Sequence, residues 1–145
     1  MRHFTLLLAA LFAAIAAHAE PLWMRYPAIS PDGEKIAFTY QGSIYVVPTA
    51  GGQATRLTTT ECHNTLPVWS PDSKTLAYAS DRYGNFDIFT VPVTGGEPTR
   101  LTTHSSKEEP YAFSNDGKKI YFGATIADPA SSALFPKSSM GELYA

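Results

Sequence analysis

The chain has one cysteine, Cys62, in 145 residues. An internal disulfide and a cysteine-based zinc site are thereby excluded. It has no excess of basic charge. Eleven Lys and Arg stand against thirteen Asp and Glu, a formal net charge of −2, so no basic face is implied and nucleic acid is not an expected partner. It has no apolar run long enough to cross a bilayer. The longest, Phe4 to Ala16, spans thirteen residues. It has no Gly-x-Ser-x-Gly elbow of the hydrolase kind. Histidine is scarce: beyond residue 19 only His63 and His104 remain. Both fall in expected connections between repeats and are not at equivalent positions, so they read as solvated or locally bonded groups. Cys62 beside His63 is an incomplete metal pair. Asp81, Asn85 and Asp87 are oxygen ligands without the alternating order and following Gly of a calcium loop. They are expected to serve the structure, through Asp and Arg hydrogen bonds across a tight hairpin. The sequence therefore offers no catalytic residue, no metal site and no cofactor site.

What is abundant is turn chemistry. Ten Gly and eleven Pro all lie after residue 19, which makes long helices improbable. Ahead of them stands an address. Met1-Arg2-His3 is a short basic start, the apolar run follows, and Ala17-His18-Ala19 is an A-x-A site before Glu20. This predicts a secretory signal peptide over 1–19, cut after Ala19, and a periplasmic or secreted mature chain of residues 20–145.

The mature chain repeats itself. Pro27-Ala28-Ile29-Ser30-Pro31-Asp32-Gly33 returns as Pro67-Val68-Trp69-Ser70-Pro71-Asp72-Ser73. A third copy, one residue longer, is Pro110-Tyr111-Ala112-Phe113-Ser114-Asn115-Asp116-Gly117. Gly51-Gly52 with Arg56-Leu57-Thr58-Thr59 returns 44 residues later as Gly95-Gly96 with Arg100-Leu101-Thr102-Thr103. Each Ser-Pro-Asp-Gly is a turn with a reason at every position. Serine bonds the backbone, proline presets φ, Asp bonds locally, and Gly takes the left-handed conformation. Ser73 stands where the other copies have that Gly. After each turn comes an alternating strand: Lys35 to Tyr40, Lys74 to Ser80, Lys119 to Gly123. Its small residues suit close stacking on a neighbouring sheet. Ser43 to Val47 and Asp87 to Val91 are nearly continuous apolar runs, expected to be buried on both faces. A short fourth strand is expected around Arg-Leu-Thr.

Strands and turns at a period of ~40–45 residues read as blades of a β-propeller. The predicted fold is all-β: blades of four antiparallel strands, with repeats at about 27–66, 67–109 and 110–145. The hairpin between second and third strands grows from Gln41-Gly42 to Asp81 through Phe86, then to an insertion running through Asp128-Pro129 to Ser138-Ser139. Such insertions often form a binding surface. About three repeats make an incomplete ring. The expectation is an N-terminal portion of a longer chain, whose remainder is needed to close the propeller.

The pattern Pro-x-Trp-Ser-Pro-Asp, then Ser80-Asp81-Arg82-Tyr83-Gly84-Asn85-Phe86-Asp87-Ile88, Gly-Gly and Arg-Leu-Thr resembles the WD-type repeat of TolB-like propellers. With Pro21-Leu22-Trp23-Met24-Arg25-Tyr26 directly after the address, the chain is most similar to the start of secreted bacterial tricorn-type serine peptidases. That resemblance implies a non-catalytic propeller that gates or docks peptide or protein substrates for a peptidase domain elsewhere. The alternative it leaves is a TolB-like periplasmic interaction propeller with no enzymatic activity. TolB normally carries another globular domain before its propeller, whereas Ser30 comes eleven residues after the cut.

Overall fold

A computed structural model describes residues 23–125 and 142–145. The address over 1–19 and the insertion through Asp128 to Ser139 lie outside the described residues. Three antiparallel sheets follow one another along the chain. The first holds β1 (Arg25–Ile29), β2 (Lys35–Tyr40), β3 (Ser43–Pro48) and β4 (Thr55–Arg56). The second holds β5 (Asn64–Trp69), β6 (Thr75–Ser80), β7 (Asp87–Pro92) and β8 (Thr99–Arg100). The third holds β9 (Glu108–Phe113), β10 (Ile120–Ala124) and β11 (Glu142–Tyr144). Each is a meander in sequence order. The first strands converge: β1 packs on β5 and β5 on β9, while β4 and β8 make no comparable approach. The sheets thus fan from their first strands as unclosed propeller blades. Each begins shortly before its Pro signature, at Arg25, Asn64 and Glu108.

The Ser-x-Asp turn, with Pro in the first two copies and Asn115 in the third, has the same wiring three times. Ser30 Oγ donates to Asp32 Oδ1 (2.5 Å), Asp32 Oδ1 accepts from the Glu34 amide (3.0 Å), and Ser30 Oγ accepts from the Lys35 amide (2.9 Å). Ser70 and Asp72 repeat this with Lys74 and Thr75, and Ser114 and Asp116 with Lys118 and Lys119. One serine and one aspartate thereby satisfy the amides that the tight turn strands. The closing residue is left-handed in every copy: Gly33 at φ 75°, Ser73 at 59° and Gly117 at 70°. A serine tolerates this at a cost of about 1–2 kcal/mol. It gains a contact that Gly cannot make, because Ser73 Oγ accepts the Asp32 amide of the preceding blade at 3.2 Å.

The fourth strands are Thr-Arg pairs, one residue ahead of the expected Arg-Leu-Thr. The ladder ends there because a side chain takes over. Thr58 Oγ1 accepts the Ile44 amide and Thr102 Oγ1 the Ile88 amide, both at 2.9 Å. β7 is buried apart from Thr90 and Pro92, and β3 is only half-buried at Tyr45 and Val47.

The core is the joint between the first two blades. Ala37, Ile44, Val46 and Leu57 meet Trp69, Leu76, Tyr78, Phe89 and Val91. Trp69 is 6% exposed and donates its indole N–H to the Ala28 carbonyl at 2.8 Å. The second joint uses the same positions 44 residues on, differently filled. Ile88, Thr90, Leu101, Phe113, Ile120 and Phe122 line a cleft of about 520 Å³. Phe113 stands where Trp69 does and Thr90 where Val46 does; Leu57 is 7% exposed and its counterpart Leu101 50%.

Candidate interaction face

Two kinds of segment share one face: the hairpins between second and third strands, and the connectors from each fourth strand to the next blade. The first hairpin is a two-residue turn with Gln41 and Gly42 both at positive φ (48° and 73°), the primed geometry that suits strand twist. The second is longer and closed by the Gly84 amide on the Asp81 carbonyl at 2.8 Å. Each hairpin holds the connector beside it. Asn64 Nδ2 donates to the Gly42 carbonyl at 2.9 Å. The His63 amide donates to Asp81 Oδ1 at 2.7 Å, and the Asp81 amide returns to the His63 carbonyl at 3.2 Å. Asn85 Nδ2 donates to the carbonyls of His104 (2.7 Å) and Ser106 (3.2 Å).

Asp81, Asn85 and Asp87 therefore do not converge on a common centre. Asp81 is turned to His63, and Asn85 to the connector with a longer bond to Asp87 Oδ1 at 3.4 Å. Among the described residues, no three His, Cys, Asp or Glu side chains are placed to hold a metal ion. The His63 ring meets the Phe86 ring edge-on at 5.9 Å, and His104 Nδ1 accepts the Ser106 amide at 3.1 Å. Cys62 Sγ lies 3.4 Å from Ser80 Oγ and 3.5 Å from Asn64 Oδ1. The hairpin arginine does not bond an aspartate. Arg82 donates to Ser80 Oγ and to the Tyr78 hydroxyl (3.0 Å) and covers the Phe89 ring at 4.3 Å. Burial pushes the Tyr78 hydroxyl up to about 12, against the opposing pull of Arg82.

Two further charged groups on this face have partners that the sequence motifs did not indicate. Arg100, in β8, donates Nη2 to the fully buried Asp87 Oδ2 at 2.6 Å and Nε to the Thr102 carbonyl at 2.9 Å. Its guanidinium also lies 4.5 Å over the exposed Tyr83 ring. Glu108 is 1% exposed and its Oε2 has no hydrogen-bond partner. Burial raises its carboxyl above the ordinary range. The Asp87 carboxylate adds to this, while Thr102, His104 and Arg100 oppose it. The repeat does carry a signal for the two acids: the positions matching Asp87 and Glu108, 44 residues earlier, are Ser43 and Asn64. Each acid is a departure from an uncharged counterpart.

These groups give opposite pH dependences. A folded carboxyl with a raised value binds more protons than the unfolded one. Glu108 therefore costs stability as pH rises from about 4.3, its unfolded value, through its folded value. Asp32, Asp72 and Asp116 are held low, first by their serines and then by backbone amides. Their contribution is full above about 3.9 and is lost as pH falls through their folded values. In denaturant melts between pH 3 and 8, Glu108→Gln is expected to be more stable than wild type at pH 7. It should lack the decline above pH 4 and keep the acid loss. An unchanged decline in the variant would show that Glu108 is not its source.

Comparison with known proteins bears on the whole arrangement. The sequence model described as "Tricorn protease N-terminal beta propeller domain" matches residues 21–136. "Uncharacterized peptidase YuxL" of Bacillus subtilis (strain 168) is 35% identical over 69 residues, 41% of this chain and 10% of that protein. "Tricorn protease homolog 1" of Streptomyces coelicolor is 35% identical over 66 residues, 46% of this chain and 6% of that protein. The crystal structure of TolB from Acinetobacter baumannii aligns with a TM-score of 0.67 at 22% identity, covering 85% of this chain and 29% of that one. The chain spans a tenth or less of the curated relatives' length, and at that identity the TolB likeness shows the fold alone.

Proposed function

Because this chain belongs to the family of tricorn protease N-terminal β-propeller domains, we propose that it is the non-catalytic, substrate-handling propeller of a secreted serine peptidase. The observation that carries this reading is the hairpin-and-connector face. Its Asp81, Asn85, Asp87 and Arg100 side chains are engaged in hydrogen bonds that hold hairpins, connectors and strands together. What it presents outward is Tyr83 under Arg100, His63 against Phe86, and Lys107 beside the same ring at 5.5 Å. Aromatic rings with cations beside them suit polypeptide contact. Ala17-His18-Ala19 after the apolar run supports export, with a mature N-terminus at Glu20.

The test has two arms. The purified chain, carrying its own N-terminus through a Gram-negative host, should begin at Glu20 and sit outside the cytoplasm. It should leave fluorogenic peptides uncleaved while binding labelled extended peptides by fluorescence anisotropy. Turnover that survives mock-purification controls would overturn the non-catalytic role. Binding of folded partner proteins with no affinity for peptides would transfer the reading to a TolB-like interaction propeller.

A further inference from the structure

The two joints differ at matching positions of the repeat, and the differences run one way. Trp69, which fills the first joint, is matched in the second by the smaller Phe113. Val46 is matched by Thr90, which brings a hydroxyl to an apolar wall. Ser73, whose Oγ accepts the Asp32 amide across the first joint, is matched by Gly117, which has no side chain to bridge with. The cleft at the second joint, about 520 Å³, has the size of a ligand site. Ile120 and Phe122 are half-buried along it, whereas their counterparts Leu76 and Tyr78 are fully enclosed.

The rim of the cleft is cationic. Lys118 and Lys119 line it and are exposed, and no carboxylate lines it. The matching positions in the second blade are Lys74 and Thr75, one cation instead of two. Among the described residues neither ammonium stands in an ion pair. Asp116, in the same turn, accepts from the Ser114 hydroxyl and the Lys118 amide. An apolar wall edged by two cations complements an apolar group with negative charge beside it. We propose that this cleft docks a segment of a partner protein in which a short apolar stretch is followed by Asp or Glu. The apolar side chains enter against Phe113, Phe122 and Leu101, and the acids meet Lys118 and Lys119. The lysines stand at the Ser-x-Asp end of the strands, opposite the hairpins. The site is therefore separate from the hairpin-and-connector face and does not depend on the substrate-handling reading.

The probe is a fluorescein-labelled, amidated heptapeptide, Gly-Leu-Leu-Phe-Asp-Glu-Gly, titrated with the full chain and read by anisotropy. Binding should saturate. Thr90→Val with Phe113→Trp installs the residues of the closed joint and should weaken binding at least about tenfold. Lys118→Glu with Lys119→Glu, on the surface, should weaken it about fivefold or more, and so should Lys-Lys in place of Asp-Glu in the peptide. Circular dichroism shows whether the filled variant is folded; if it is not, the surface variant decides. Undiminished affinity in either folded variant, equal affinity for the Lys-Lys peptide, or no saturation by wild type would overturn the proposal. A wild-type dimer in sedimentation velocity that the filled variant renders monomeric would give the cleft to a second copy and overturn it as well. Binding of other extended peptides that survives the filled variant belongs to the hairpin-and-connector face, so the two readings fail separately.

Discussion

Trp69→Ala should lower stability by about 3–5 kcal/mol, the range for deleting a buried aromatic. Two losses combine. The ring fills the joint between the first two blades, among Leu57, Leu76 and Val91. Its N–H also satisfies the Ala28 carbonyl across that joint. Trp69→Phe separates them: it keeps most of the apolar volume and drops the hydrogen bond, for about 1–2 kcal/mol. It also installs the residue that the second joint already has at this position, Phe113. Chemical denaturation followed by circular dichroism measures both. If Trp69→Ala cost under about 1 kcal/mol, the tryptophan would not be holding the blades together.

Arg100→Met should cost about 2–3 kcal/mol. Asp87 is fully buried and Arg100 is the cation on it. Removing one partner of a buried pair leaves the other charge uncompensated, at about 3–5 kcal/mol when both are fully enclosed. Here the Arg100 side chain is 30% exposed, and solvent lowers the figure. The repeat supplies the control. At the matching places in the first blade stand the uncharged Ser43 and Arg56, whose Nε bonds the Thr58 carbonyl just as Arg100 bonds Thr102. Adding Asp87→Ser to Arg100→Met removes the stranded charge and should recover more than half of the loss. A single-variant loss below about 0.5 kcal/mol, the size of a surface effect, would mean that the pair contributes nothing to the blade.

The turns and the blade period were legible because both are local. Ser30-Pro31-Asp32-Gly33 closes on itself within six residues, and its copies sit at countable distances. The Arg100–Asp87 pair was not legible, because it joins a fourth strand to a third across thirteen residues, and the hairpin offered Arg82 as a nearer partner. Arg82 went instead to Tyr78 and Ser80. The bulges in β1 and β5, at Tyr26 (φ 53°) and Leu66 (φ 55°), were illegible too. Tyr26 and Leu66 are residues that ordinarily avoid left-handed backbone, so their types argue against the conformation they adopt. Ser73 was half legible: its place in the turn predicted the strain, and only the structure showed the Asp32 amide that offsets it. The shortened fourth strands depended on a threonine hydroxyl standing in for a carbonyl, a substitution that strand propensity does not register.

The unequal joints bear on how this array comes apart. A blade alone is a narrow meander, and its cohesion comes from the neighbours it packs against. Where Trp69 and Leu57 close the joint, two blades share a single core and gain or lose it together. Where Phe113 and Leu101 line a cleft, the third blade is joined through β9, which packs on β5, β6 and β7. Among the described residues, the shared filled core therefore belongs to a pair of blades, from Arg25 to Arg100, and not to the single repeat. The chemical repeat is one blade, whereas the core that holds it is shared by two, so a blade and its neighbour are expected to open together.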